Sequence, residues 1–347
     1  MTPADLSLTV LHAVRRAVDD GVLHVEVPQR VTVERPRPGG RGDYASNVAL
    51  TLARAAHRPP LDVAAILRDR LHSSPGIAAV EITGPGFLNF SLDASAQQEL
   101  VREILRLRSR YGWLQPSGQV AQPVHRADVR AAVTADAARR ILVSQGYLVR
   151  TACEDAADPD WALLGVRIEA QGARGYLATD IAPLPVPLSP RELVHTLGVD
   201  AARWGLLSVV GHDHARVGDE LLRQHEDNPL FRVRYAHSRA RALTRNAEQL
   251  GFHSEPGRHI DDLLLTRVLG DHPAVLAAAA RHRAPDRVAR HLEVVADALL
   301  DFQHTVLPLG DEKPSAAHRS RLALAEAAGV VLAGGLSLLG ISAPDQI

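Results

Sequence analysis

A run of prolines divides this chain by what each side of it can fold into. Ile181–Pro190 reads IAPLPVPLSP. Proline fixes φ and lacks a donor, so this run reads as an extended connector. Before it, short β-branched stretches alternate with helical patterns. After it, the apolar period stays near that of a helix. At 347 residues the chain exceeds one ordinary core, and three segments follow from the pattern: 1–113, 114–189 and 190–347.

In the first segment the spacing predicts a helix over 3–20, then β-rich pieces at His24–Val27 and Val31–Glu34. The turn-rich PRPGGRG follows, with Asp43 as N-cap of a helix Tyr44–Ala56. Pro60 and Asp62 open a second helix to Ser73, and strands Ile77–Thr83 and Phe87–Leu92 flank Gly84-Pro85-Gly86. A helix Ser95–Tyr111 closes an α+β domain with a small antiparallel sheet. The middle segment holds a helix within VHRADVRAAVTADAARRILVSQGYLV (Val124–Val149) and a strand Tyr147–Cys153. Two strand-like runs follow, Trp161–Glu169 and Gly175–Ile181. The last segment reads as an all-α helical bundle: Pro190–Leu197, Asp200–Val210, Val217–His225, Pro229–Leu250, Ile260–Leu269, His272–Arg281, Pro285–His304 and Ser315–Leu339.

The formal net charge of −1 does not suggest a generic nucleic-acid binder, although a local basic face remains open. Lys313 is the only lysine. The single cysteine, Cys153, excludes an intrachain disulfide and a cysteine zinc site, and points to a reducing cytoplasm. No apolar run approaches the roughly 20 residues that span a bilayer, so no membrane role is expected. MTPADLSLTVLHAVRRAVDD reads as a first helix and not as a signal peptide. His212 and His214 in GHDHARVG lack a third ligand, so they read as loop histidines and no metal is expected.

Several stretches, in order, carry a resemblance. GDYASN (Gly42–Asn47) with VALTLAR, VEITGPGFLNFSL (Val80–Leu92), LGVDAARWGLL (Leu197–Leu207), NPLFRVRYAHSRARAL (Asn228–Leu243) and LSLLGISAP (Leu336–Pro344) resemble segments of arginyl-tRNA synthetases. The resemblance implies an N-terminal domain of the D-loop-binding type and a C-terminal DALR-type anticodon-binding bundle. The helix after Val124 is similar to the first helix of that family's catalytic domain, which opens on an H-x-G-H signature. Here His125 keeps the first position, while Ala127 and Asp128 replace the glycine and the second histidine. Asp128 sets a carboxylate where a triphosphate would lie. No lysine stands in a KMSK-type loop, and arginine does not replace lysine freely at such sites. The expectation is therefore a small, truncated Rossmann-like α/β middle segment. It lacks most of the catalytic domain, has no enzyme activity, and needs no cofactor.

The resemblance places the D-loop contact at Phe87 and Asn89. An aromatic face can stack on a splayed base, and an amide two residues on, on the same strand face, can read its edge. The alternative puts Phe87 in the core and Asn89 at a turn. Tyr44, with an exposed hydroxyl, and Asn47 are expected to support this face. No acid lies between Asn228 and Arg245, and Arg234, Arg241 and Arg245 share one helix face. The family places Tyr235 and His237 in its anticodon pocket, with Ile347 at an equivalent of its apolar end, and Asp345 beside the RNA. The alternative is a solvated arginine face paired with acids of neighbouring helices, with Phe231 and Tyr235 in the core.

Three functions stay open. The first is a non-catalytic relative that binds tRNA, specifically arginine tRNA, and engages the full-length synthetase but neither DNA nor membrane. The second is an interaction partner or regulator of the translation machinery without RNA binding. The third is an altered enzyme acting on aminoacyl-tRNA through His125, Asp128 and Cys153.

Overall fold

The computed structural model describes residues 3–36, 41–167, 169–172, 174–257 and 263–347. They form two compact units. The first comprises Met1–Arg102 with Pro256–Asp271, and the second Glu103–Glu255 with His272–Ile347. The three-part division of the sequence remains our proposal for its domains.

In the first unit, α1 (Pro3–Asp19) buries Leu6, Val10, Val14 and Ala17, a helical-period stripe. Strand β1 (Tyr44–Ser46), helices α2 (Val48–Ala53) and α3 (Pro60–Leu71), and strands β2 (Ile77–Thr83) and β3 (Phe87–Leu92) follow, and α4 (Ala94–Leu107), whose part from Glu103 belongs to the second unit, comes next. The sheet is antiparallel in the order β1-β3-β2, so β3 is central and pairs Ala45 and Glu81 with Asn89. Leu88 and Phe90 turn into the core against α1, α2 and α3. Gly86, at φ +132°, is required: a Cβ there would lie 3.0 Å from the Pro60 carbonyl oxygen.

Two expectations change here. Asp43 does not cap a helix, because Tyr44–Ser46 is the edge strand β1. Sheet pairing won over the capping signal: the Asp43 N–H donates to Phe90 O at 2.7 Å. The Asp43 carboxylate accepts from Leu92 N at 2.8 Å and from Arg267 Nε at 2.9 Å. The pieces His24–Val27 and Val31–Glu34 form no strand beyond a bridge from Glu34 to Ala45. Part of PRPGGRG and the residues Ile260–Asp262 lie outside the described residues.

The second unit holds a parallel sheet. Strand β4 (Val120–His125) leads into α5 (Val129–Ser144), then β5 (Leu148–Val149), β6 (Ala152–Cys153), β7 (Ala170–Gln171) and β8 (Ala178–Asp180). β4 is central, with parallel partners β5, β6 and β8, and β7 joins β6. This is the expected α/β middle segment, with the expected strand Tyr147–Cys153 broken into β5 and β6. The strand-like run Trp161–Glu169 is instead a 3-10 turn over Pro159–Leu164. Asp158 caps it by accepting from Asp160 N, Pro159 fits its first turn, and Trp161 is buried at 2 % exposure. Burial of one large ring outweighed the alternation. Gly175–Ile181 shortens to β8.

The helices that follow are α6 (Pro190–Leu207), α7 (Pro229–Gln249), α8 (Leu263–His282, whose part through Asp271 belongs to the first unit), α9 (Asp286–Phe302) and α10 (Ala316–Leu339). A capping box of Ser189 and Glu192 starts α6, and Ser315 caps α10. The two helices expected at Pro190–Leu197 and Asp200–Val210 run on as α6 with a kink at Gly198, φ 73°. The two expected on either side of Gly270 merge as α8, which carries Pro273 inside it. Val217–His225 forms only a 3-10 turn, Asp219–Leu222. Helix α10 is long and apolar enough to cross a membrane, contrary to the expected absence of such a run. It is the core helix of its unit, packed on α7 and α9.

Two buried arginines tie helix α5 to α6 and α10. Arg203 donates to Leu339 O, Leu164 O and the Asp136 carboxylate at 2.8, 2.6 and 2.8 Å. Arg130 donates to the carbonyls of Leu206, Leu184, Asp213 and Val210. Burial drives the Asp136 carboxyl up, but Arg203 and Arg140 beside it leave it below its ordinary value, so the group is a carboxylate.

Candidate nucleic-acid interface

Strand β3 sets Phe87 and Asn89 on one sheet face, opposite to Leu88 and Phe90. Phe87 is 39 % exposed, so it is not core. Asn89 is buried and its amide donates to Thr83 Oγ1 at 2.6 Å, across the hairpin. Glu81 pairs opposite Asn89, with Arg41 at 3.6 Å from the Glu81 carboxylate. Asn47 is exposed at the start of α2 and its side chain makes no capping bond. Tyr44 departs from expectation: it is buried at 4 % exposure, and its hydroxyl is not on the surface. Burial, then the Asp271 carboxylate, push its phenol well above the ordinary value. The edge strand turns Tyr44 inward with Ser46.

Helix α7 begins where Asn228 accepts from Leu230 N and Phe231 N and donates to Leu221 O and Arg223 O. Its arginine face is present but engaged. Residues 342–345 run along it. Arg234 donates to Ser342 Oγ at 3.4 Å and lies 3.7 Å from Asp200. The His237 ring is 3.0 Å from Pro344 O through Nδ1, and Ser238 donates to Asp345 O. Arg241 holds the Asp345 carboxylate at 3.1 Å, and Arg245 reaches the Asp345 carbonyl at 3.5 Å. Arg232 pairs with Asp297 at 2.7 Å. Asp345, expected beside the RNA, is thus a partner of the α7 face itself.

His237 is buried, and burial lowers its pKa in spite of the Pro344 carbonyl and the Asp345 carboxylate. Tyr235 is half-exposed and stacks on Phe231 with ring centroids 5.6 Å apart. A cavity of about 390 Å³ opens at the foot of α7, lined by Asp200, Leu222, Phe231, Arg234 and Ile347 among others. Ile347 is half-exposed at its edge. The structure therefore gathers Arg234, Tyr235, His237, Arg241, Arg245 and Ile347 in one region. Sequence spacing alone did not reveal the strap of residues 342–345. Asp345, an acid in reach of the acid-free stretch Asn228–Arg245, was its only signal.

The loop at the carboxyl end of β4 is ordered by capping. Asp128 is the N-cap of α5, and its carboxylate accepts from Ala131 N at 2.8 Å. Ala127 N donates to Asp155 at 3.0 Å. His125 is buried against Trp161, with ring centroids 5.4 Å apart, and Nδ1 lies 2.8 Å from Arg126 O. Burial lowers its pKa and keeps the ring neutral. Cys153 pairs with His125 in the parallel ladder and is fully buried, with its thiol pKa raised by that burial. His212 is exposed on its loop, and no metal-ligating cluster occurs among the described residues.

The arginyl tRNA synthetase N terminal domain matches residues 8–92, and the DALR anticodon binding domain matches residues 233–347. The arginine–tRNA ligase of Frankia alni is 30 % identical over 552 aligned positions, covering 100 % of both chains. The chain belongs to the arginyl-tRNA synthetase family. The arginine–tRNA ligase of Renibacterium salmoninarum is 27 % identical, again over 100 % of both chains. Among solved structures, the arginyl-tRNA synthetase of Thermus thermophilus shares the fold with a TM-score of 0.75 at 15 % identity, covering 100 % of each chain. That of Plasmodium falciparum gives 0.69 at 9 %, covering 99 % of each.

The family match corrects one expectation and leaves another without support. The relatives matched along their whole length are named as ligases, which overturns the expectation that the chain is no enzyme. The absence of a catalytic domain is likewise unsupported. Both expectations weighed two motif positions and a lysine count above likeness along the entire chain.

Proposed function

We propose that this family member engages arginine tRNA in the cytoplasm and acts in the reaction for which its relatives are named, the joining of arginine to tRNA. Phe87, Asn89 and Asn47 are its D-loop-side contacts, and Tyr44 supports them from inside. Arg234, Tyr235, His237, Arg241, Arg245 and Ile347 form its anticodon-side contacts. The supporting observation is the gathering of those six side chains on and beside α7, within the matched anticodon-binding domain. Phosphates supply affinity there, and stacking on the half-exposed Tyr235 supplies base preference. In the parallel sheet, the carboxyl end of β4 with the capped start of α5 is where this class of fold places a small substrate. The full-length synthetase is a further partner in this reading.

Binding to a panel of purified tRNAs across salt concentrations tests the RNA part. Arginine tRNA is expected to bind more tightly than the others, and Phe87→Leu is expected to weaken it about ten-fold, or about 1.4 kcal/mol. Equal affinity for unrelated RNA sinks the specificity. Arginine-dependent ATP–pyrophosphate exchange tests the ligase part: no exchange while tRNA still binds would remove the reaction and leave the binding.

A further inference from the structure

We propose that the turn leaving α4 is an additional RNA contact, with Arg106, Arg108 and Arg110 as phosphate ligands and Trp113 as a stacking face for an unpaired base. It rests on the RNA-binding reading above and adds a site to it. All four residues lie in the second unit.

Helix α4 ends at Leu107 and continues as a 3-10 turn over Arg108–Arg110. Arg108 sits at φ +50°, a left-handed conformation uncommon for a non-glycine residue. The turn brings three exposed guanidinium groups within five residues of sequence. Among the described residues, no carboxylate lies within 4 Å of Arg106 or Arg110. The nearest to Arg108 is Glu326 at 3.9 Å, whose other oxygen accepts from the Ser254 hydroxyl at 2.6 Å. The contrast with α7 is direct, since its arginines are held by Asp200, Asp297 and Asp345.

Trp113 is 37 % exposed, whereas Trp161 and Trp204 are at 2 % and 1 %. The Arg110 guanidinium lies 5.7 Å from the Trp113 ring centroid. The backbone under these groups is fixed. Tyr111 N donates to Arg108 O, Trp113 N to Arg110 O, and Leu114 N to Ser144 O. The Gln145 amide donates to Gly112 O at 3.0 Å. Gly112, at φ +80°, leaves only 3.1 Å between a built Cβ and Leu276. A rigid platform loses little freedom on binding.

Three clustered cations, of which only Arg108 has a carboxylate within 4 Å among the described residues, repel one another, and a polyanion relieves that repulsion. An aromatic face beside them suits any base, because every base offers a π-face. This combination favours single-stranded or looped RNA over an acidic protein, which would leave the indole without a planar partner.

The test uses the full chain and purified arginine tRNA. Arg106→Gln/Arg110→Gln should weaken binding about ten-fold. It should also reduce the slope of log affinity against log salt by about 1.4–1.8, at roughly 0.7–0.9 per phosphate contact. Trp113→Leu should weaken binding, and Trp113→Phe should restore most of it. Because the other two tryptophans are buried, acrylamide quenching of native fluorescence reports chiefly on Trp113, and tRNA should shield it. Unchanged thermal unfolding of each variant separates lost contact from lost fold. Unchanged affinity and slope, with Trp113 still quenched in the complex, would overturn this contact and leave the proposed function standing. Shielding by polyglutamate but not by tRNA would assign the turn to a protein partner and overturn it too. If the unmodified chain binds no tRNA, the broader reading fails and this one falls with it.

Discussion

Arg203 and Arg241 carry the same side chain in the same unit and do opposite work. Arg203 is buried and spends its donors on two main-chain carbonyls and the Asp136 carboxylate. Arg241 is exposed on α7 and holds the carboxylate of Asp345. A buried guanidinium whose acceptors are fixed is a structural joint. A surface guanidinium with a replaceable acceptor is a docking point that is temporarily filled. An arginine count therefore says little about usable positive charge, because acceptor placement decides it.

The largest expected effect tests the joint. Arg203→Met leaves Asp136 buried with a weakened set of partners, and two carbonyls without their donor. A loss of about 3–5 kcal/mol in urea unfolding of the second unit is expected. Arg241→Met should cost no more than about 1 kcal/mol, as exposed ion pairs do. Equal losses would erase the distinction between the two arginines.

A pH experiment sharpens it next. His272 is fully buried and stacks on His291 with ring centroids 5.2 Å apart. Burial first, and then His291, lower its pKa well below 6.5. The folded state therefore binds fewer protons than the unfolded one below that pH. Stability is expected to be full above about pH 6.5 and to fall as pH drops, by up to about 1.4 kcal/mol per unit from this one group. His272→Phe should flatten that slope. An unchanged slope in chemical denaturation would show that another group carries the acid sensitivity.

The smallest effect concerns the filled docking point. Asp345→Ala removes the acid that occupies Arg241, so tRNA affinity should rise about three- to five-fold, the worth of one exposed pair. Thermal stability should barely move. A fall in affinity would mean that Asp345 supports the RNA contact and does not compete with it.

The starts of α6, α7 and α10 were legible because local signals agreed. Ser189 with Glu192, Asn228 with Pro229, and Ser315 mark starts that the structure keeps. Asp43 and Trp161 were misread for a common reason. Each sits in a stretch whose local pattern favours one element, while a distant partner decides another. For Asp43 the partners are Phe90, Leu92 and Arg267, and for Trp161 the buried neighbour His125. The α7 arginines were visible from spacing, but their engagement with residues 342–345 was not, since about a hundred residues separate the pairs. Tyr44 was misplaced with the helix assigned to it: once that stretch is an edge strand, its ring belongs to the inner face.

Cys153 gives the second unit an internal clock. It is the only thiol in the chain, lies at the central parallel ladder, and shows no exposed surface. An alkylating reagent can reach it only when that ladder parts. Its labelling half-life thus times the opening of the sheet, without any engineered probe and independently of RNA.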